Sequence, residues 1–256
     1  SHRQTDEALQ QAKQLADQAN QAKSRYISAI SHELRTPLNS ILGYAQLMGE
    51  DPSIPPHRRQ AVSVIKRGGE HLLSLIEGTL DVARIESGKL TLNVKPMHFA
   101  DGVREMANLF ELEALAKGLQ FHFETEGSLP VVVRADEKRV RQILINLLGN
   151  AIKFTEQGHV LLWAQWRPSD GSTSLHLRVQ DSGIGMDAEQ LDRLYTPFHQ
   201  ADSSHARRYG GTGLGLAIIK QLVLLMDGTI DFESEEGVGS TFWFRLPMKI
   251  HNAEHR

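Results

Sequence analysis

The chain has no cysteine, which excludes disulfide bridges and thiolate metal sites and accords with a reducing compartment. It has no apolar run long enough to span a bilayer and no signal-peptide pattern at its start. It also lacks an excess of positive charge. Lys and Arg number 28 against 31 Asp and Glu, a formal net charge of −3, so the electrostatic footprint of a nucleic-acid binder is missing. There is no initiating methionine: the chain opens at Ser1, directly in a helical pattern, and reads as an excised piece. Its 256 residues suffice for one or two domains, each with its own core.

What is present begins with helix. From Leu9 to Ile30 the spacing alternates three and four through Ala12, Ala16, Ala19, Lys23 and Tyr26, a heptad seam of small residues. It suits either a solvated, fraying helix or a signalling helix that pairs with its copy. The prolines in Asp51-Pro52-Ser53-Ile54-Pro55-Pro56 interrupt the pattern because they lack the amide a helix needs. A second helix is expected from about His57 to Glu86, with Val62, Ile65, Leu72, Ile76 and Ala83 on one face and Leu73 and Leu80 widening it. Gly88 is placed to cap it. A lone hairpin cannot bury stripes this wide, whereas dimerisation into a four-helix bundle can.

On the first helix lies Ser31-His32-Glu33-Leu34-Arg35-Thr36-Pro37-Leu38-Asn39. Most of the twelve histidines are surface or satisfied core residues, and His32 stands out by its neighbours. Pro37 cannot donate to the carbonyl of Glu33, so a bend beside His32 is expected. Thr36 lies four residues on, on the same face, while Glu33 is adjacent rather than facing.

After a linker from Gly88 to Pro96, the pattern mixes strands and helices. A helix is expected over Asp101–Lys117, with Gly118 as its stop, followed by a strand through Leu119, Phe121 and Phe123. Val131–Val133 reads as a short buried strand and Asp136 as the N-cap of the next helix. Further strands fall near Val160–Trp166, Leu175–Val179, Thr229–Glu233 and Thr241–Leu246. The proportions predict a two-layer sandwich of mixed sheet and helices.

Three clusters describe an anion and base pocket. Asn146, Asn150 and Lys153 share one helix face. Asn150 offers a neutral amide oxygen suited to Mg²⁺ already bound to phosphate, and Lys153 offers a point charge. Asp181-x-Gly183-Ile184-Gly185 is often only a turn. Its carboxylate can also accept from an exocyclic amino group while the glycines allow close approach. Gly211-Thr212-Gly213-Leu214-Gly215-Leu216 leads into an apolar helix and presents free amides at its N-terminus. It has neither the lysine of a P-loop nor Rossmann spacing. The polar run His199–Tyr209 between Phe198 and Gly213 reads as a lid whose Arg207 and Arg208 can reach phosphate.

These motifs, in this order, resemble the core of the sensor histidine kinase family, and the resemblance covers roughly Lys23 to Leu246. It implies a helical hairpin forming a dimeric four-helix bundle, followed by a two-layer α/β sandwich of the Bergerat type. The expected divisions are 1–24 signalling helix, 25–88 dimerisation and phosphotransfer domain, 89–96 linker, 97–250 ATP-binding domain and 251–256 tail. By resemblance, His32 is the nucleophile, Glu33 accepts from its Nδ1–H, and Thr36 positions water for the reverse hydrolysis. The same resemblance gives Asn146, Asn150, Lys153, Asp181, Gly183, Ile184, Gly185, Arg207, Gly211, Thr212, Gly213, Leu214, Gly215, Leu216 and Thr241 to ATP, and Asn150 also to Mg²⁺. It further implies a homodimer, a response-regulator receiver domain as partner, no nucleic acid, no direct membrane contact in this segment and a cytoplasmic site of action. The wider superfamily of gyrase, mismatch-repair proteins and heat-shock chaperones carries Glu where this chain has Asn146, and that Glu activates water. Tyr195-x-Pro197-Phe198 departs from the usual Phe-x-Pro-Phe, and His205-Ala206 replaces hydroxyl residues common in the lid. Two other readings are a kinase-inactive dimeric scaffold and an ATP-hydrolysing member of the superfamily.

Overall fold

A computed structural model describes residues 2–169, 172–195 and 215–251. The chain divides into two compact units, Ser1–Thr91 and Leu92–Arg256.

The first unit is a helical hairpin. Helix α1 spans His2–Glu50 without a break, Pro37 included. Helix α2 spans Pro56–Glu86 and starts with a proline at its first position, where no amide is needed. It ends as expected at Gly88, whose φ of 68° a Cβ would oppose. Gly88 N–H donates to Ile85 O at 3.0 Å and Lys89 N–H to Arg84 O at 2.9 Å. Each helix buries residues seven apart: Ser24, Ser31, Leu38 and Ala45 on α1, and Val62, Gly69, Ile76 and Ala83 on α2. The two series run antiparallel and in step. Ser24 Oγ donates to the Ala83 carbonyl at 3.1 Å, while Ala45 and Val62 meet at the other end. Strict sevens on both helices give a coiled-coil seam of small and medium side chains.

The expected stripes differ from this seam. Leu9 and Tyr26 are exposed, as is every described residue before Ser24. Ile65 and Leu72 also stay half outside, because Gly69 brings the helices close along a line that turns both away. Beside the seam lies an apolar groove of about 340 Å³, lined by Ile41, Tyr44, Met48 and Ile65 among others.

The second unit is a two-layer α/β sandwich. In chain order it comprises β1 (Lys95–His98), α3 (Phe99–Ala116), β2 (Gln120–Glu126), β3 (Val132–Ala135) and α4 (Glu137–Lys153). Then come β4 (His159–Ser169), β5 (Ser172–Asp181), α5 (Ala188–Asp192), α6 (Gly215–Leu225), β6 (Thr229–Glu235), β7 (Gly239–Pro247) and β8 (Lys249–Ile250). Five strands form one sheet in the order β2-β4-β5-β7-β6, with β2 and β4 parallel and the rest antiparallel. A small sheet, β1-β3-β8, stands apart. Strand β1 takes up residues expected in the linker, and α3 starts two residues early at Phe99.

Helices α3, α4 and α6 pack on one face of the large sheet. Alternation supplies that face: Val160, Leu162 and Ala164 on β4, Leu175, Leu177 and Val179 on β5, and Phe242, Phe244 and Leu246 on β7 are all buried. Ile143, Leu144 and Leu148 of α4 and Ile219 and Leu222 of α6 complete the core.

Candidate active site

His32 lies one residue past Ser31 on the seam, so the helix turns its ring outward and leaves it exposed. Glu33 and Thr36 are exposed as well. The Thr36 hydroxyl donates to the His32 carbonyl at 3.4 Å, across one helical turn. Among the described residues no hydrogen bond joins Glu33 to the ring; neighbours on a helix diverge by about 100°. On the same helix, Leu34, Ile41 and Met48 repeat every seven residues and are all exposed.

In the second unit, α4 is pinned at both ends. Asp136 caps its start, with Oδ1 accepting from Arg139 N–H at 3.3 Å and Oδ2 from Asn93 N–H at 2.9 Å. At the far end the Lys117 ammonium donates to the carbonyls of Ile152 at 2.7 Å and Lys153 at 3.0 Å, satisfying groups the helix leaves open. The core side of α4 holds the helix in rotation, and Asn146, Asn150 and Lys153 come out half-buried on one face. Desolvation holds Lys153 below the ordinary lysine range, and its ammonium lies 5.3 Å from the Phe154 ring centroid.

Asp181 closes β5 with one carboxylate oxygen firmly placed. Oδ1 accepts from Gly183 N–H at 2.9 Å and from Ser240 N–H at 3.3 Å. Burial pushes its carboxyl above the usual range, against the lowering effects of the two amides and His159. A side chain at Gly183 would collide with the Phe154 carbonyl and lie 2.9 Å from the Thr155 hydroxyl. Gly185 has φ 66° and its Cβ position is filled by the Glu235 carbonyl. Ile184 is held by its own backbone, donating to Phe154 O at 3.2 Å and accepting from Gly237 N–H at 2.7 Å. The loop is thus clamped between the end of α4 and the β6–β7 turn.

Gly215, the first residue of α6, brings a third element in. A Cβ there would stand 3.7–3.9 Å from the Asn146 amide atoms. Asn146 and Gly215, 69 positions apart, therefore face each other, and Leu216 follows half-buried in the first turn of α6. Arg207, Gly211, Thr212, Gly213 and Leu214, with the rest of His199–Tyr209, lie outside the described residues.

Thr241 falls differently. It pairs with Gln180, while Ser240 pairs with Asp181. Period-two alternation therefore puts Ser240 on the face of Asp181 and Thr241 on the opposite face. Two residues outside the sequence reading join the site. Thr155 is fully buried beside Gly183. The Ser234 hydroxyl accepts from Met186 N–H at 2.9 Å and lies 2.7 Å from Ser240 Oγ. The spacing of single Ser and Thr residues carries no signal for either.

Comparison with known proteins agrees with both units. Residues 22–88 match the His Kinase A (phospho-acceptor) domain, and residues 135–250 match the family described as histidine kinase-, DNA gyrase B-, and HSP90-like ATPase. The nucleotide-free catalytic domain of histidine kinase ThkA superposes with a TM-score of 0.50 at 30% identity, covering 61% of this chain and 98% of that one. The chain belongs to the sensor histidine kinase family. Full-length ShkA in complex with AMPPNP matches with a TM-score of 0.73 at 36% identity, over 91% of this chain and 47% of that one. Among curated relatives, the autoinducer 2 sensor kinase/phosphatase LuxQ of Vibrio parahaemolyticus is 37% identical over 240 residues. The match takes in 93% of this chain and 28% of LuxQ. The signal transduction histidine-protein kinase BarA of Escherichia coli K12 is 37% identical over 244 residues, 95% of this chain and 26% of BarA. The chain therefore spans about a quarter of these relatives' length, and carries the phospho-acceptor and ATP-binding domains of the family. Among the described residues no helix is long and apolar enough to cross a membrane.

Proposed function

We propose that this chain is a homodimeric protein histidine kinase core that transfers the γ-phosphoryl group of ATP to Nε2 of its own His32. The observation that carries this reading is Asn146 against Gly215. An amide there can hold a ligand but has no basic carboxylate to deprotonate water, so the pocket favours transfer to a protein nucleophile over hydrolysis. Asp181 offers its second carboxylate oxygen to the adenine amino group, while the bonds to Oδ1 hold it in place. Asn150 and Lys153 lie along the same face for the phosphates, and the neutral oxygen of Asn150 suits Mg²⁺. Bound there, Mg²⁺ would neutralise phosphate charge, and most of the remaining catalysis is positioning.

In the transfer, the Nε2 lone pair of His32 forms the N–P bond as the bond to the β–γ bridging oxygen breaks and ADP leaves. Glu33 holds the Nδ1 proton and with it the tautomer, once its side chain swings to the ring. The phosphoryl group then passes to an aspartate of a receiver domain, and Thr36 orients water when that acylphosphate is hydrolysed. Dimerisation is supported by the exposed seam of α1 before Ser24 and by the apolar groove beside α2. Residues 1–24 serve as a signalling helix, 25–88 as the phosphotransfer hairpin and 97–250 as the ATP-binding domain, joined by 89–96. We place this segment in the cytoplasm, where ATP is supplied, with the parent protein able to carry a membrane anchor.

The test is incubation with γ-labelled ATP and Mg²⁺, followed by acid and alkali treatment. An acid-labile, alkali-stable label that is lost in His32→Gln, with ATP binding retained, is expected. An acid-stable label, or one retained by His32→Gln, overturns the chemistry. Steady phosphate release with no labelled protein supports a hydrolase instead, and nucleotide binding without either product supports a scaffold.

A further inference from the structure

The loop 181–186 is held against the β6–β7 turn by contacts of two kinds. Ile184 O accepts from Gly237 N–H at 2.7 Å, and the Glu235 carbonyl fills the space where Gly185 has no Cβ. Both of these involve backbone alone. The other kind needs a side chain: the Ser234 hydroxyl accepts from Met186 N–H at 2.9 Å.

Ser234 also belongs to a row across the sheet. The registers pair Asp181 with Ser240 and Ser240 with Ser234, so the three share one face. Asp181 pairs in turn with Val160, which is fully buried, so this is the face that the helices cover. Along the row, Ser240 N–H donates to Asp181 Oδ1 at 3.3 Å, while Ser240 Oγ lies 2.7 Å from Ser234 Oγ. Ser234 Oγ is also 3.2 Å from the Gly239 carbonyl. A serine oxygen has one proton and two lone pairs. Met186 N–H can only donate, and the Gly239 carbonyl can only accept. All three contacts of Ser234 are therefore made together in one way: it gives its proton to Gly239 and accepts from Met186 N–H and Ser240 O–H. The Ser240 proton is then committed to β6 and kept off Asp181.

We propose that Ser234 is a positioning residue for adenine recognition. It fixes the far end of the loop and draws the Ser240 proton away from Asp181, which leaves the second carboxylate oxygen open to the exocyclic amino group. This role rests on the reading of Asp181 as the acceptor of that group. Without the Ser234 hydroxyl, Met186 N–H loses its acceptor. The Ser240 hydroxyl is then free to turn to the carboxylate, whose Oδ1 already lies 3.3 Å from its own nitrogen. A donor from the protein would compete with the donor from the base.

The test is calorimetric titration of the full chain with ADP and with purine riboside 5′-diphosphate, which lacks the amino group. Neither carries a γ-phosphoryl group to transfer. Ser234→Ala should weaken ADP binding by roughly three- to tenfold, the worth of one hydrogen bond with a stranded partner, and purine riboside diphosphate binding much less. Ser234→Thr and Ser234→Val have the same shape and differ in the hydroxyl. The threonine variant should bind ADP several-fold more tightly than the valine variant, which decides the matter should Ser234→Ala not fold. A role in the fold alone would weaken both nucleotides alike. Equal losses for the two nucleotides, unchanged ADP affinity in Ser234→Ala, or equal affinities in the threonine and valine variants overturns the proposal. Equal binding of the two nucleotides by the parent chain overturns the reading of Asp181 itself, and the role of Ser234 with it.

Discussion

At Asp181 the needs of binding and of stability oppose each other. Burial raises its carboxyl above the usual range, so the folded chain binds that proton more tightly than the unfolded chain does. The stabilising contribution of the protonated form is therefore complete below the unfolded value and lost as pH rises through the folded one. Asp181→Asn imitates the protonated state and keeps an oxygen for Gly183 and Ser240 N–H. It should melt higher than the parent at neutral pH, with the difference shrinking as pH falls through the carboxylate range. The same variant should bind ATP more weakly with or without Mg²⁺, by calorimetric titration. A lower melting point at neutral pH would mean that the two hydrogen bonds outweigh desolvation. Thr36 offers a second test at this scale. Its hydroxyl bonds the His32 carbonyl only at 3.4 Å, so autophosphorylation should survive Thr36→Ala. Dephosphorylation of a cognate receiver domain should fall by a few-fold to roughly tenfold, the worth of one hydrogen bond; an unchanged rate leaves the threonine no role in that step.

At the scale of elements, two adjacent glycines on α2 have opposite surroundings. A Cβ at Gly68 meets nothing within 4 Å, whereas one at Gly69 would stand 2.6 Å from Leu42 Cδ2. Gly68→Ala should raise stability by about 1 kcal/mol through helix propensity. Gly69→Ala should fall short of that by roughly 1 kcal/mol or more, because Leu42 must move in the seam. Equal denaturation midpoints for the two would mean that the helices are not held at this distance. Asp136→Ala should cost about 1 kcal/mol as a lost N-cap, and it also frees the Asn93 amide that ties the chain before β1 to α4. Its signature is earlier hydrogen exchange at Asn93 and Arg139 than elsewhere in α4.

Over the whole molecule, the two units differ in how much they can bury alone. The second closes its own core from Phe99 to Leu246, whereas the first leaves Ile41, Leu47, Ile65 and Leu72 exposed. A fragment from Leu92 to Ile250 should sediment as a monomer and still bind ATP, while Lys23–Thr91 should sediment as a dimer. A dimeric C-terminal fragment would relocate the contact. Much of this organisation was legible in the sequence: the hairpin, its Gly88 cap, the Asp136 cap and the main strands follow from period and capping chemistry. Strands β1 and β8 were not, because they are short and their pairing is with β3 rather than with sequence neighbours. Periodicity puts the exposed Ile65 and Leu72 on one face with Val62, since it cannot tell which apolar positions meet within the chain and which wait for a second chain.

The sequence by itself determined the repertoire: a histidine followed by Glu, Thr and Pro on a helix, an asparagine face, a carboxylate before glycines, and a helix opened by glycine. These are properties of residue type and spacing, and they survive without coordinates. Only the tertiary structure decided which groups meet. Gly215 reaches Asn146 because α6 packs beside α4. Ser240 rather than Thr241 lies beside Asp181 because antiparallel pairing fixes the register and successive strand residues face opposite ways. The row of Asp181, Ser240 and Ser234 exists only where three strands align. Contacts between positions this far apart are set by the packing of the shared core, and no local pattern encodes them.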